Sequence, residues 1–230
     1  VIHAAAMTNV DRCEEDPGTA EAVNALGTQH VADAAARIGA HLLYVSTDYV
    51  FDGTATRPYS EADETNPVSV YGLTKLAGER ACAPEATIVR TAWVAGAHGT
   101  NFVTTVLRLC GGDGDLRFVA DQRSAPTYTA DLARALVELA LDRRAGCFHV
   151  TNSGHASRYE LARETVALAG GDPERVVPIS TDELNPPRPA RRPSYSVLDN
   201  RAFLAAGYDA LPDWRDGLAR LVAELRSAPR

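Results

Sequence analysis

Several things are scarce in this chain, and each shortage removes a class of protein. Of 230 residues four are cysteine. Cys13, Cys82, Cys110 and Cys147 stand far apart, with none of the paired spacings of a zinc site or a disulfide framework. Reduced thiols and a cytoplasmic setting are the expectation. No apolar run approaches the ~20 residues that cross a bilayer. The opening residues also lack a charged segment followed by a hydrophobic stretch and a small-residue cleavage site. A soluble protein without a membrane partner is expected. Positive charge is in deficit, with 23 Lys and Arg against 30 Asp and Glu and a net charge of -7. Nucleic acid is therefore not an expected partner, because its phosphates call for a basic footprint. There is no internal repeat, no low-complexity tract, no clustered metal-ligand set and no Gly-x-x-Gly-x-x-Gly run.

What remains is ordinary globular material, 45% hydrophobic and 23% charged, long enough for one large or two small domains. Strand-like runs near Val1 to Ala5, Leu42 to Ser46, Thr87 to Trp93, Leu116 to Val119 and Cys147 to Val150 alternate with helical periods. The helices are expected from about Ala20 to Ile38, from Tyr71 to about Cys82, over Asn101 to Leu109, over Ala130 to Leu141, from Ser157 through Ala169, and from Trp214 to Leu225. That alternation predicts an α/β fold, a Rossmann-like doubly wound parallel sheet with right-handed crossovers and a smaller C-terminal substrate-binding portion. The expected division is 1–125 for the sheet-forming part and 126–230 for the rest, the two interleaved. On the first long helix Ala22, Val23, Leu26, His30, Val31, Ala34 and Ile38 form the expected apolar stripe, with His30 packed. Thr129 is the expected N-cap of the Ala130 helix, with Asp131 in its first turn, and Ser157 caps the next helix.

Tyr71 and Lys75 carry the most chemistry. Four residues apart on a helix, they share one face. A cation held beside a phenol favours the phenolate and makes the hydroxyl a usable acid or base nearer neutral pH. Such a pair can protonate an alkoxide formed by hydride transfer. Upstream, His41 to Val45 runs straight into Ser46-Thr47-Asp48-Tyr49, and ligands of open α/β sheets sit beyond the carboxyl ends of strands. Thr47 and Asp48 therefore stand where a substrate would. Trp93, at another strand end, offers a flat wall for a sugar or base. Gly96-Ala97-His98-Gly99, between strand and helix, could approach a phosphate or serve only as a turn. The proline-extended stretch 185–193 gathers Arg188, Arg191 and Arg192 into a candidate anion-facing loop.

The segments Ser46-Thr47-Asp48-Tyr49-Val50-Phe51-Asp52-Gly53, Tyr71-Gly-Leu-Thr-Lys75-Leu-Ala-Gly-Glu79 and Arg90-Thr91-Ala92-Trp93-Val94 resemble the extended short-chain dehydrogenase/reductases, most closely the dTDP-4-dehydrorhamnose reductase family. Ala4 to Asp11, Asp121 to Tyr128 and Pro189 to Ser196 extend the likeness from end to end. The resemblance implies NADPH- or NADH-dependent reduction of the C4 ketone of a dTDP-4-keto-6-deoxyhexose, most closely dTDP-4-dehydrorhamnose to dTDP-L-rhamnose. In that pattern Tyr71 donates the proton, Lys75 holds the nicotinamide ribose and Thr47 bonds the carbonyl oxygen. Ala6, Met7 and Thr8 line the cofactor, while Val10, Asp48, Tyr49, Trp93 and Arg191 meet the substrate.

A magnesium ion and a homodimer are implied by family analogy alone. Reduction of another dTDP-deoxysugar, epimerisation or dehydration on the same scaffold, and a non-catalytic cofactor-binding regulatory subunit are the alternatives. Family members open with a strand, a glycine-rich loop and a helix, whereas Val1 to Ala6 reads as a later strand. The expectation is that residues preceding Val1 supply that opening, since an interior strand left as an edge would invite aggregation.

Overall fold

The computed structural model describes residues 1–227. At its centre lies a four-stranded parallel sheet in the order β1 (Ile2–His3), β2 (Leu43–Thr47), β3 (Thr87–Thr91) and β4 (Gly146–His149). Leu43 pairs with Ile2 on one side and Thr87 on the other, and Thr47 reaches Thr91. The fourth strand comes from beyond residue 125, so the sheet extends past the boundary expected there.

The β2 strand is covered on both faces, as parallel strands are, and its alternation sorts its partners. Leu43 and Val45 pack with Val89, Phe148 and the apolar side of α4 (Thr129–Leu141), including Leu132, Leu136 and Leu139. Leu139 is fully buried, and burial of one such side chain stabilises by about 1.5–3 kcal/mol. Tyr44 and Ser46 point the other way, onto α2 (Val70–Ala81). There the Tyr44 hydroxyl donates to the Lys75 carbonyl at 3.3 Å, and Ser46 Oγ donates to Glu79 at 2.5 Å.

The long helical stretch after β1 departs from the expected one. It begins as Pro17–Glu21, widens into a π turn over Ala22–Leu26 and continues as α1 (Gly27–Arg37). Its buried side carries Ala20, Asn24, Thr28, Ala32 and Ala35, whereas Val23, Leu26 and Ile38 are exposed and so is His30. The expected stripe was therefore rotated, because small and polar residues are what fit against α2. Asn24 explains the choice. Fully buried in the π turn, it accepts from Met7 N at 2.8 Å and donates to Met7 O and to Thr74 Oγ1, both at 3.1 Å.

Beyond the sheet, α3 (Phe102–Cys110) and α5 (Arg158–Leu168) pack on a parallel pair, Leu116–Val119 with Val176–Ile179, and α6 (Trp214–Ser227) packs on α5. Ser157 caps α5 with a reciprocal box to Glu160. Thr129 is not a cap: α4 starts at Thr129 itself, with Tyr128 before it. Asp131 does stand in the first turn, as expected, and is also the buried partner of Arg220 and Asn152.

Among the described residues no helix is long and apolar enough to cross a membrane.

Candidate active site

A cavity of about 630 Å³ opens at the carboxyl ends of β2 and β3. Thr47, the last residue of β2, and Tyr71 and Lys75 on α2 all line it. Ser69 caps α2 by accepting from Gly72 N at 3.2 Å, which sets where the first turn begins. Gly72 then lies flat on the carbonyl of Tyr49, leaving no room for a side chain. This close approach holds the tyrosine-bearing turn against the strand end, and Tyr49 meets Tyr71 edge to face with ring centroids 5.7 Å apart.

The pairing of Tyr71 with Lys75 differs from the one expected. Lys75 is buried; its Nζ donates to Val45 O at 2.7 Å and stands 4.1 Å from the centre of the Tyr44 ring. Burial lowers it to about 8. Tyr71 is pushed well above the ordinary phenol by burial, with Thr47 pulling the other way and Asp48 and Tyr49 adding to the rise. Desolvation dominates at Tyr71 and keeps it protonated at neutral pH, which is the form a proton donor needs.

Asp48 lines the same cavity but is almost wholly buried, and its oxygens are taken. Thr47 Oγ1 donates to one at 3.1 Å; Ser124 Oγ at 3.0 Å and Ser196 Oγ at 2.5 Å donate to the other. Burial raises its carboxyl to about 6 against these three bonds. A role in holding Thr47 fits this geometry better than direct substrate contact.

The remaining expected residues divide. Ala6, Thr8, Val10, Tyr49 and Trp93 line the cavity. Met7 is turned into the scaffold by the Asn24 amide and is absent from the lining. Arg191 is exposed and does not line the cavity, while its neighbour Arg192 is bound to Asp11 at 2.7 Å. Gly96 packs on Thr129 and gives its carbonyl to Asn101 Nδ2 at 2.8 Å, which ties the loop to the start of α3.

Trp93 holds a left-handed φ of 44°, uncommon for a bulky residue and costly enough to mark a constrained position. Over its ring, 3.6 Å from the centroid, sits the guanidinium of Arg158. This residue escaped sequence reasoning, which treated its helix as support; the available signal was its place directly after the Ser157 cap. Thr91 was missed as well. It lines the cavity, and its buried Oγ1 has no hydrogen-bond partner among the described residues. No group of three or more His, Cys, Asp or Glu there is placed to hold a metal ion, so the implied magnesium has no ligand set among those residues.

A parallel sheet with threonine at a strand end and tyrosine and lysine one helical turn apart, all facing one cavity, defines a Rossmann-like oxidoreductase of the short-chain dehydrogenase/reductase class. Within that class the chain belongs to the RmlD family, whose substrate binding domain model matches residues 1–227. It is 48% identical to dTDP-4-dehydrorhamnose reductase of Mycolicibacterium smegmatis over 99% of this chain and 71% of the relative. Among solved structures it is similar to a dTDP-4-dehydrorhamnose reductase from Clostridium acetobutylicum, with TM-score 0.94 and 43% identity over 98% of this chain and 80% of that one. The Bacillus anthracis dTDP-4-dehydrorhamnose reductase in complex with NADP gives TM-score 0.90 and 37% identity, covering 97% and 79%.

Proposed function

We propose that the protein reduces the C4 ketone of dTDP-4-dehydrorhamnose to give dTDP-L-rhamnose, using a reduced nicotinamide. The observation that carries this reading is the convergence of Thr47, Tyr71 and Lys75 on one cavity at a strand end.

The cofactor fits the residues present. Ala4, Ala6 and Thr8 line the same cavity as Lys75. An ammonium carries three donors and only one is spent, on Val45, which leaves two for ribose hydroxyls. When bound, the nicotinamide supplies the hydride. Turning its single proton from Asp48 to the ligand, Thr47 holds the ketone oxygen together with Tyr71, where negative charge grows as the carbonyl is reduced; one such donor contributes ~3 kcal/mol. Tyr71, kept protonated by burial, gives its proton to that oxygen. Lys75 then stabilises the charge left on the tyrosine side of the site. Trp93 bounds the sugar with its flat face.

Reduction suits the site better than elimination. Asp48 is the one carboxylate in the cavity lining among the described residues, and hydroxyls engage both of its oxygens. Dehydration would need a free acid and base pair. On this reading the enzyme works in the cytoplasm, where its free thiols stay reduced.

The direct test follows nicotinamide oxidation by the purified full protein with dTDP-4-dehydrorhamnose. Tyr71→Phe should lower kcat about 100-fold or more; unchanged turnover would refute the assignment of the acid.

A further inference from the structure

Arg158 is a cavity arginine with no acid to answer it. Other arginines drawn toward the fold are neutralised: Arg90 by Glu79 at 2.7 Å, Arg192 by Asp11 at 2.7 Å, Arg123 by Glu160 at 2.9 Å and Arg220 by Asp131 at 2.6 Å. Arg158 opens α5 and lines the cavity, yet no carboxylate or carbonyl among the described residues takes a hydrogen bond from its guanidinium. Asp48, whose charge reaches it, is already held by Thr47, Ser124 and Ser196.

Its contacts are aromatic faces instead. The guanidinium carbon lies 3.6 Å from the Trp93 ring centre and 4.8 Å from that of Phe102. A ring face attracts the cation but offers no lone pair to its N–H donors. Half-buried at the cavity wall, the guanidinium keeps donors turned to no protein acceptor. Arg188 and Arg192 add repulsion rather than relief. What this position lacks is an anion, and the planar fork of arginine matches phosphate oxygens two at a time.

We infer that Arg158 grips the diphosphate of the nucleotide-linked sugar, with Trp93 and Phe102 holding its guanidinium in place. The assignment rests on the reductase reading above, because it takes the ketone end of the same ligand to lie at Thr47 and Tyr71. Anchoring the diphosphate at one end of the cavity fixes how far the sugar reaches toward the other. Arg158 thus governs both affinity and the placing of the reacting carbon.

Calorimetry on the full protein with thymidine diphosphate, thymidine and NADPH tests the assignment, using wild type, Arg158→Gln and Arg158→Lys. Arg158→Gln should weaken thymidine diphosphate about 10- to 100-fold. Thymidine and NADPH affinities should stay within about threefold. Arg158→Lys keeps the charge without the fork and should fall between, and in turnover KM should rise more than kcat falls. If wild type binds thymidine diphosphate and both variants bind it equally well, the inference falls while the reductase reading stands. Loss of NADPH binding alone would assign Arg158 to the cofactor's phosphates and overturn it. A wild type that ignores thymidine diphosphate would sink both. Should Arg158→Gln fail to fold by circular dichroism, Arg158→Lys decides, since undiminished affinity there overturns the fork.

Discussion

The ammonium of Lys75 donates to the carbonyl oxygen of Val45 at 2.7 Å, tying the helix that carries Tyr71 to the strand that ends in Thr47. Its charge is therefore held by a backbone dipole and the Tyr44 ring, in a place that costs it solvation.

That cost has a pH signature. Burial lowers Lys75 to about 8, so the ammonium is intact at neutral pH and is lost as pH rises through that value. The pH profile of kcat/KM should turn down on the alkaline side with an apparent pKa of about 8. Lys75→Met should depress the neutral rate and abolish that limb. A profile flat to pH ~10 would show that the charge is not used.

Glu79 and Arg90 form a buried bidentate pair beneath the site, with Nε to Oε1 at 3.0 Å and Nη2 to Oε2 at 2.7 Å, and Ser46 completes it. Removing one partner strands the other's charge in the interior. Glu79→Ala should cost about 3–5 kcal/mol in a denaturant titration, and Glu79→Leu with Arg90→Met should recover much of it.

Asp48 pays for its burial with a carboxyl raised to about 6. A carboxylate raised on folding contributes stability below its unfolded value and loses it as pH rises through the folded one. Between pH ~3.5 and ~7 the stability of Asp48→Asn relative to wild type should thus improve by about 3 kcal/mol. Parallel thermal melts across that range would check it, and a constant difference would contradict the shift. At neutral pH the variant should still lose activity, because an amide nitrogen replaces the oxygen that accepts from Ser124 and Ser196 and loosens the residue that holds Thr47.

Gly72 presses on the Tyr49 carbonyl, and an added Cβ would also come within 2.9 Å of Pro67 Cβ. Gly72→Ala has to lift the first turn of α2 off the strand end and carry Tyr71 with it. A displacement of that kind should lower kcat about 10- to 100-fold while far-ultraviolet circular dichroism stays near wild type.

Much of this site could be read in one dimension. Tyr71 and Lys75 share a helix face because their spacing matches the helical period, and Thr47 ends a strand because an apolar run stops there; both are local properties. Ser157 announced its helix for the same reason, since a cap and its box lie within three residues. The stripe through Val23, Leu26 and Ile38 misled because periodicity says only that one side is apolar. The buried side was chosen by α2, which accepts Asn24, Thr28 and small alanines.

Sequence alone therefore determined the α/β order, the chemical class and the proposed trio of Thr47, Tyr71 and Lys75, since each rests on short segments of chain. Tertiary structure alone decided what the charges do: Lys75 meets the Val45 carbonyl, Asp48 meets serines 76 and 148 residues away, and Arg158 meets two rings and no acid. The reason is physical. Whether a buried group keeps its charge depends on which dipoles, counter-charges and water surround it in space, and none of these is set by neighbours along the chain.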